Sequence, residues 1–113
     1  MKLLLCALFF TMIVNVAFSQ EIVLEGKQYK GIGENAILWS KPVKITRTKV
    51  IYDFSGNNNG FWITKNGLDY KPFWSLKFAQ ENAKGQKLTP GTYRVYPNLK
   101  QGCDSACVKL ILK

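Results

Sequence analysis

Apolar and polar residues alternate in short runs along most of this chain, and turn residues interrupt the runs at intervals of roughly ten residues. Valine, isoleucine, threonine and aromatic residues dominate the runs, as in chains that build small sandwiches. The pattern predicts an all-β fold, an antiparallel β-sandwich of about seven or eight strands. Its general architecture would be immunoglobulin-like, with a small β-barrel as the alternative. Strands are expected near residues 21–25, 28–32, 36–39, 43–54, 61–65, 73–79, 92–96 and 106–112. Helix is nearly absent from this reading. Residues 79–87 come closest to one turn, but Gly85 lies inside them and no apolar stripe runs at helical spacing.

The turns are sharper than the strands. Asn66-Gly67 is the preferred pair for a type I′ hairpin, where both central residues need positive φ. Asn57-Asn58-Asn59-Gly60 is a polar loop between apolar runs, so 43–54 and 61–65 are expected to pair as antiparallel neighbours. Pro90-Gly91 and Pro97-Asn98 bracket the run that carries Tyr93 and Val95. Gly31-Ile32-Gly33 reads as a turn or bulge, since a phosphate-binding loop would need further glycine, a lysine and a following helix.

Alternation assigns faces. Trp74, Leu76 and Phe78 are expected in the core, with Phe73, Ser75 and Lys77 pointing away. Tyr93 and Val95 oppose Thr92, Arg94 and Tyr96, and Ala106, Val108, Leu110 and Leu112 oppose Cys107, Lys109 and Ile111. The run 43–54 changes parity between Ile45 and Val50. Either a bulge near residues 47–49 or a break into two strands would account for that.

The first residues change the picture of where the protein works. MKLLLCALFFTMIVNVAFSQ has Lys2, an apolar run and small residues at Ala17 and Ser19, the layout of a secretory signal peptide over residues 1–19. The mature chain would then be a single domain over residues 20–113, secreted or held in the periplasm or at the cell surface. No stable membrane insertion is expected after cleavage, because the apolar run falls short of the roughly 20 residues a spanning helix needs. Cleavage removes only Lys2 among the charges, taking the net charge from +9 to +8. Such a balance draws the protein toward anionic partners.

The chemistry is bounded by what the composition lacks. There is no histidine, which removes the commonest general base and metal ligand. Of the seven carboxylates, Asp53 and Asp69 fall nearest the middle of the expected sheets, and their spacing demands no convergence across a cleft. The expectation is a non-enzyme with no cofactor and no metal. Cys103 and Cys107 are the only cysteines after residue 19, and in an oxidising compartment they are expected to form a disulfide across the tight Asp104-Ser105-Ala106 bend.

Two adjacent aromatic pairs, Phe61-Trp62 and Phe73-Trp74, sit inside expected strands, so one ring of each must lie off the main core. Trp62, Phe73, Lys77, Arg94 and Tyr96 together form the candidate ligand-binding set: planar rings beside fixed positive charge. The tail from Leu88, LTPGTYRVYPNLKQGCDSACVKLILK, loosely resembles the L-x-P-G-x-Y-x-V hairpins of bacterial surface and secreted β-sandwich modules. Its ending VKLILK looks like the last strand of the C-terminal sorting domains exported by the Bacteroidetes type IX system. Neither resemblance brings functional residues with it. The expected function is a secreted, non-catalytic binding or interaction module for an anionic polysaccharide or other acidic surface. The alternative is a small secreted effector, inhibitor or toxin-like, acting on a protein partner.

Overall fold

The computed structural model describes residues 21–32 and 35–113. The expected leader and its cleavage site lie outside them. Among these residues nine strands build two antiparallel sheets, and their packed faces enclose the core. The elements are β1 (Ile22–Lys30), β2 (Ala36–Ser40), β3 (Val43–Ile45), β4 (Lys49–Ser55), β5 (Phe61–Lys65), β6 (Leu68–Phe73), helix α1 (Leu76–Asn82), β7 (Lys87–Leu88), β8 (Gly91–Pro97) and β9 (Ser105–Leu112). One sheet has the order β2-β1-β9-β4-β7 and the other β3-β8-β5-β6. The all-β sandwich expected from the alternation is therefore present.

Leu24, Ile45, Ile51, Phe61, Ile63, Tyr93, Val95, Val108, Leu110 and Leu112 are buried between the sheets. Along β8 and β9 the inward set is the one that alternation assigns. Asn66 and Gly67 take φ of 52° and 82°, joining β5 to β6 in the expected hairpin.

Four expectations are corrected. Residues 21–32 do not split at Gly26: β1 is continuous, and Gly26 lies inside it because its missing side chain lets the facing sheet approach. The run 43–54 takes the second of its two options and breaks, with β3 in one sheet and β4 in the other. The Asn57–Gly60 loop consequently crosses between sheets, so β4 and β5 are not neighbours. Asn58 anchors that crossing from a fully buried site, donating to the carbonyls of Gly56 (3.3 Å) and Cys107 (3.0 Å) while its Oδ1 accepts from Gly60 N–H at 3.2 Å.

The third correction concerns residues 73–79, which are mostly helix. Ser75 caps α1 by accepting from Phe78 N–H at 3.2 Å, and Asn59 Oδ1 accepts from Leu76 N–H at 3.0 Å. Ala79 and Ala83, four residues apart, are both buried, and Gly85 follows with φ of 90°. Trp74 is consequently 71% exposed, whereas Phe73 is only 4% exposed and packs against Phe61 at a centroid distance of 5.0 Å. Leu76 and Phe78, also expected in the core, are half-buried and 38% exposed.

The fourth correction is the disulfide. Cys103 and Cys107 are free thiols. Cys107 lies in β9, which is already extended from Ser105, whereas Cys103 lies in the loop before it. Cys107 is also tied elsewhere: its N–H donates to Asn57 carbonyl at 2.9 Å, and its sulfur accepts from Asn57 N–H at 3.4 Å. Native protein treated with a thiol alkylating reagent should therefore carry the label on both cysteines. A cross-linked 103–107 peptide in untreated material would contradict this.

Candidate functional site

The two faces of the four-stranded sheet differ in character. Its inner face is core, while its outer face collects the residues of opposite parity on β3, β8, β5 and β6. Strand register sets the neighbours: Trp62 lies across from Tyr96 on β8 and from Pro72 on β6, Thr64 across from Arg94 and Asp69, and Lys44 across from Thr92. Trp62 and Tyr96 form a tilted stack, with centroids 5.3 Å apart and an interplanar angle of 32°. Each ring thereby restricts the other, and both remain only half-buried.

Two depressions flank this aromatic ridge. One, of about 440 Å³, is lined by Trp62, Asp69, Pro72, Trp74 and Asn98 among others. The second, of about 540 Å³, is lined by Pro42, Thr64, Asn66, Thr92, Arg94 and Tyr96. Trp62 faces the first and Tyr96 the second, so the stacked pair is their common wall. Arg94 is exposed and forms no ion pair or hydrogen bond among the described residues, and the same holds for Lys44. A guanidinium left without an internal partner is free to meet a carboxylate, sulfate or phosphate in a two-point contact.

Of the five residues singled out in the sequence, the fold brings Trp62, Arg94 and Tyr96 together. Phe73 does not join them, because it occupies the inner face, and Lys77 lies on α1 rather than on this sheet. Trp74 takes the place that parity assigns to Phe73. Pro72, Asp69 and Asn98 were not legible as site residues. Pro72 marks β6 as an edge strand, the usual place for proline in a sheet, and that was the available hint.

The carboxylates weighed for catalysis are separated. Asp53 lies on β4 and Asp69 on β6, in different sheets. The Phe54 N–H donated to Asp53 Oδ1 at 2.8 Å, and then Lys84 at 3.3 Å, hold the Asp53 carboxyl below the ordinary range. Among the described residues no group of three or more His, Cys, Asp or Glu gathers to hold a metal, and no helix is long and apolar enough to cross a membrane. Comparison with known proteins finds no matching family, no similar curated protein and no similar solved structure.

Proposed function

We propose that this chain is an exported, non-catalytic binding module whose four-stranded outer face takes an acidic polysaccharide. The observation that carries the reading is the Trp62–Tyr96 stack with the unpaired Arg94 on the same face. Sugar rings have apolar faces that lie flat on indole and phenol rings, and their carboxylate or sulfate groups would meet Arg94 and Lys44. The net charge of +8 without the leader draws polyanions in at long range. Trp74 extends the aromatic surface into the neighbouring depression, so the site has room for more than one sugar unit.

Heparin, titrated calorimetrically at low salt, is a suitable probe, with a neutral oligosaccharide and a single-stranded oligonucleotide as competitors. Trp62→Ala and Arg94→Ala should each weaken heparin binding by roughly tenfold, about 1.4 kcal/mol, while melting temperature shifts by only a few degrees. Added salt should weaken binding further, because exposed charges are screened within about 8 Å at physiological ionic strength. Displacement by the neutral oligosaccharide supports a glycan, whereas displacement by the oligonucleotide alone points to nucleic-acid bases on the same rings. Absence of polyanion binding at low salt would overturn the proposal in favour of an effector acting on a protein partner.

A further inference from the structure

Among the described residues the two sheets leave four strand edges open, and three of them carry recognisable protection. β7 has only two residues, one of them lysine; β3 has three, with Lys44 at its centre and Pro42 just before it; β6 contains Pro72 and a bulge. Short length, charge, proline and bulges are the means by which sheets avoid pairing with other chains. The fourth edge, β2, has none of these. Its five residues, Ala36-Ile37-Leu38-Trp39-Ser40, carry no charge and no proline, and among the described residues no strand pairs with them on the side away from β1.

Four of the five β2 residues are exposed, on both faces, while Ser40 is buried. Ile37 is 60% exposed and Trp39 46% on the outer face, beside Tyr29 and Lys27 of β1, while Leu38, of opposite parity, is also 46% exposed. Lys27 Nζ lies 5.7 Å from the Trp39 ring centroid. Unpaired backbone groups along an apolar strand call for a partner that supplies another strand. A lipid surface would cover the side chains but leave those N–H and C=O groups unmet.

We propose that β2 is a dimerisation strand, through which two copies of this chain join antiparallel about a two-fold axis at Leu38. The two five-stranded sheets then become one continuous sheet. The register follows from parity. Residues directly across an antiparallel pair share a face, so under two-fold symmetry Ile37 can meet Ile37, Leu38 can meet Leu38, or Trp39 can meet Trp39. Only the Leu38-centred register keeps all five residues paired. It sets Trp39 of each copy across from Ile37 of the other, an aromatic–aliphatic pair of the kind that stabilises sheets, and Lys41 across from Asn35 rather than from a like charge.

Sedimentation equilibrium of the mature protein from about 1 μM to about 1 mM covers association free energies between roughly −8 and −4 kcal/mol. Dimer is expected to accumulate within that range. It should strengthen with added salt, because screening relieves repulsion between two cationic copies, which is opposite to the salt response of polyanion binding. Ile37→Lys, at an exposed position, should leave the fold intact and the protein monomeric. Leu38→Cys should form an intersubunit disulfide on mild oxidation, since paired residues on the axis stand about 5 Å apart, whereas Ile37→Cys should not cross-link to itself. Peptide mapping separates these links from any involving Cys103 or Cys107. A protein that stays monomeric throughout, an Ile37→Lys variant that still dimerises, or equal self-cross-linking of the two cysteine variants would each overturn the proposal. The polysaccharide site lies on the other sheet, so failure of either proposal leaves the other standing.

Discussion

Tyr93→Ala is expected to destabilise the protein by about 3–5 kcal/mol, the usual cost of emptying a large aromatic core site. Tyr93 is the largest of the fully buried side chains. Its ring meets Tyr70 edge-on at 6.0 Å, Lys65 Nζ sits 5.9 Å from its centroid, and its hydroxyl donates to the Thr89 carbonyl. Truncation removes all three interactions and leaves a cavity in the middle strands of a small domain. At roughly 4–8 °C per kcal/mol for a domain of this size, the melting temperature should fall by well over 10 °C. Since small domains have only about 5–15 kcal/mol in total, partial unfolding at ambient temperature is within reach. Trp74→Ala is the matched control: its ring is 71% exposed, so thermal melts followed by circular dichroism should place it within a few degrees of the parent. Equal melting temperatures for the parent and the Tyr93 variant would refute this assignment of the core.

Gly26→Ala should be comparably damaging, for the opposite reason. A Cβ at this position would stand 1.8 Å from the Val95 carbonyl oxygen and 2.7 Å from its carbon. No side-chain rotation relieves such a contact, because the obstacle is backbone. Neither strand can easily yield: β1 is hydrogen-bonded between β2 and β9, and β8 between β3 and β5. The sheets must therefore separate locally, which also strains the Ser40 bridge, where Oγ donates to Glu25 carbonyl at 2.8 Å and accepts from Val95 N–H at 3.0 Å. Overpacking commonly costs about 1–3 kcal/mol, and a clash with fixed backbone belongs at the top of that range or above it. Urea titration measures the loss, and amide exchange should show the first protection lost at Val95. A Gly26→Ala variant with parental stability would mean that the sheets do not approach each other at this point.

The fate of the 61–74 segment shows why some of the candidate site was legible and some was not. Asn66-Gly67 marks the hairpin, and Trp62 and Tyr96 are placed on one outer face by alternation within their own strands, which needs no knowledge of the partner. Phe73 and Trp74 depend instead on register. Counting outward from the two-residue turn, a regular ladder would set Phe61 opposite Pro72 and send Phe73 outward. The register slips between Ile63 and Thr64, so Phe61 instead meets Phe73 and the faces of residues 71–73 are reversed. No local residue preference announces a one-residue bulge.

The sequence by itself determined the fold class, the turn at Asn66-Gly67, the inward faces of β8 and β9, and the cationic surplus, since each depends on residue type and short-range alternation. Only the tertiary structure decided which sheet each strand joins and where the ladder slips. It also decided that Ser75 opens a helix supported by Ala79 and Ala83, and that Cys107 is held by Asn57 rather than by Cys103. Those outcomes turn on long-range backbone pairing and on the space left between two packed sheets, where residues far apart in the chain compete for the same partner.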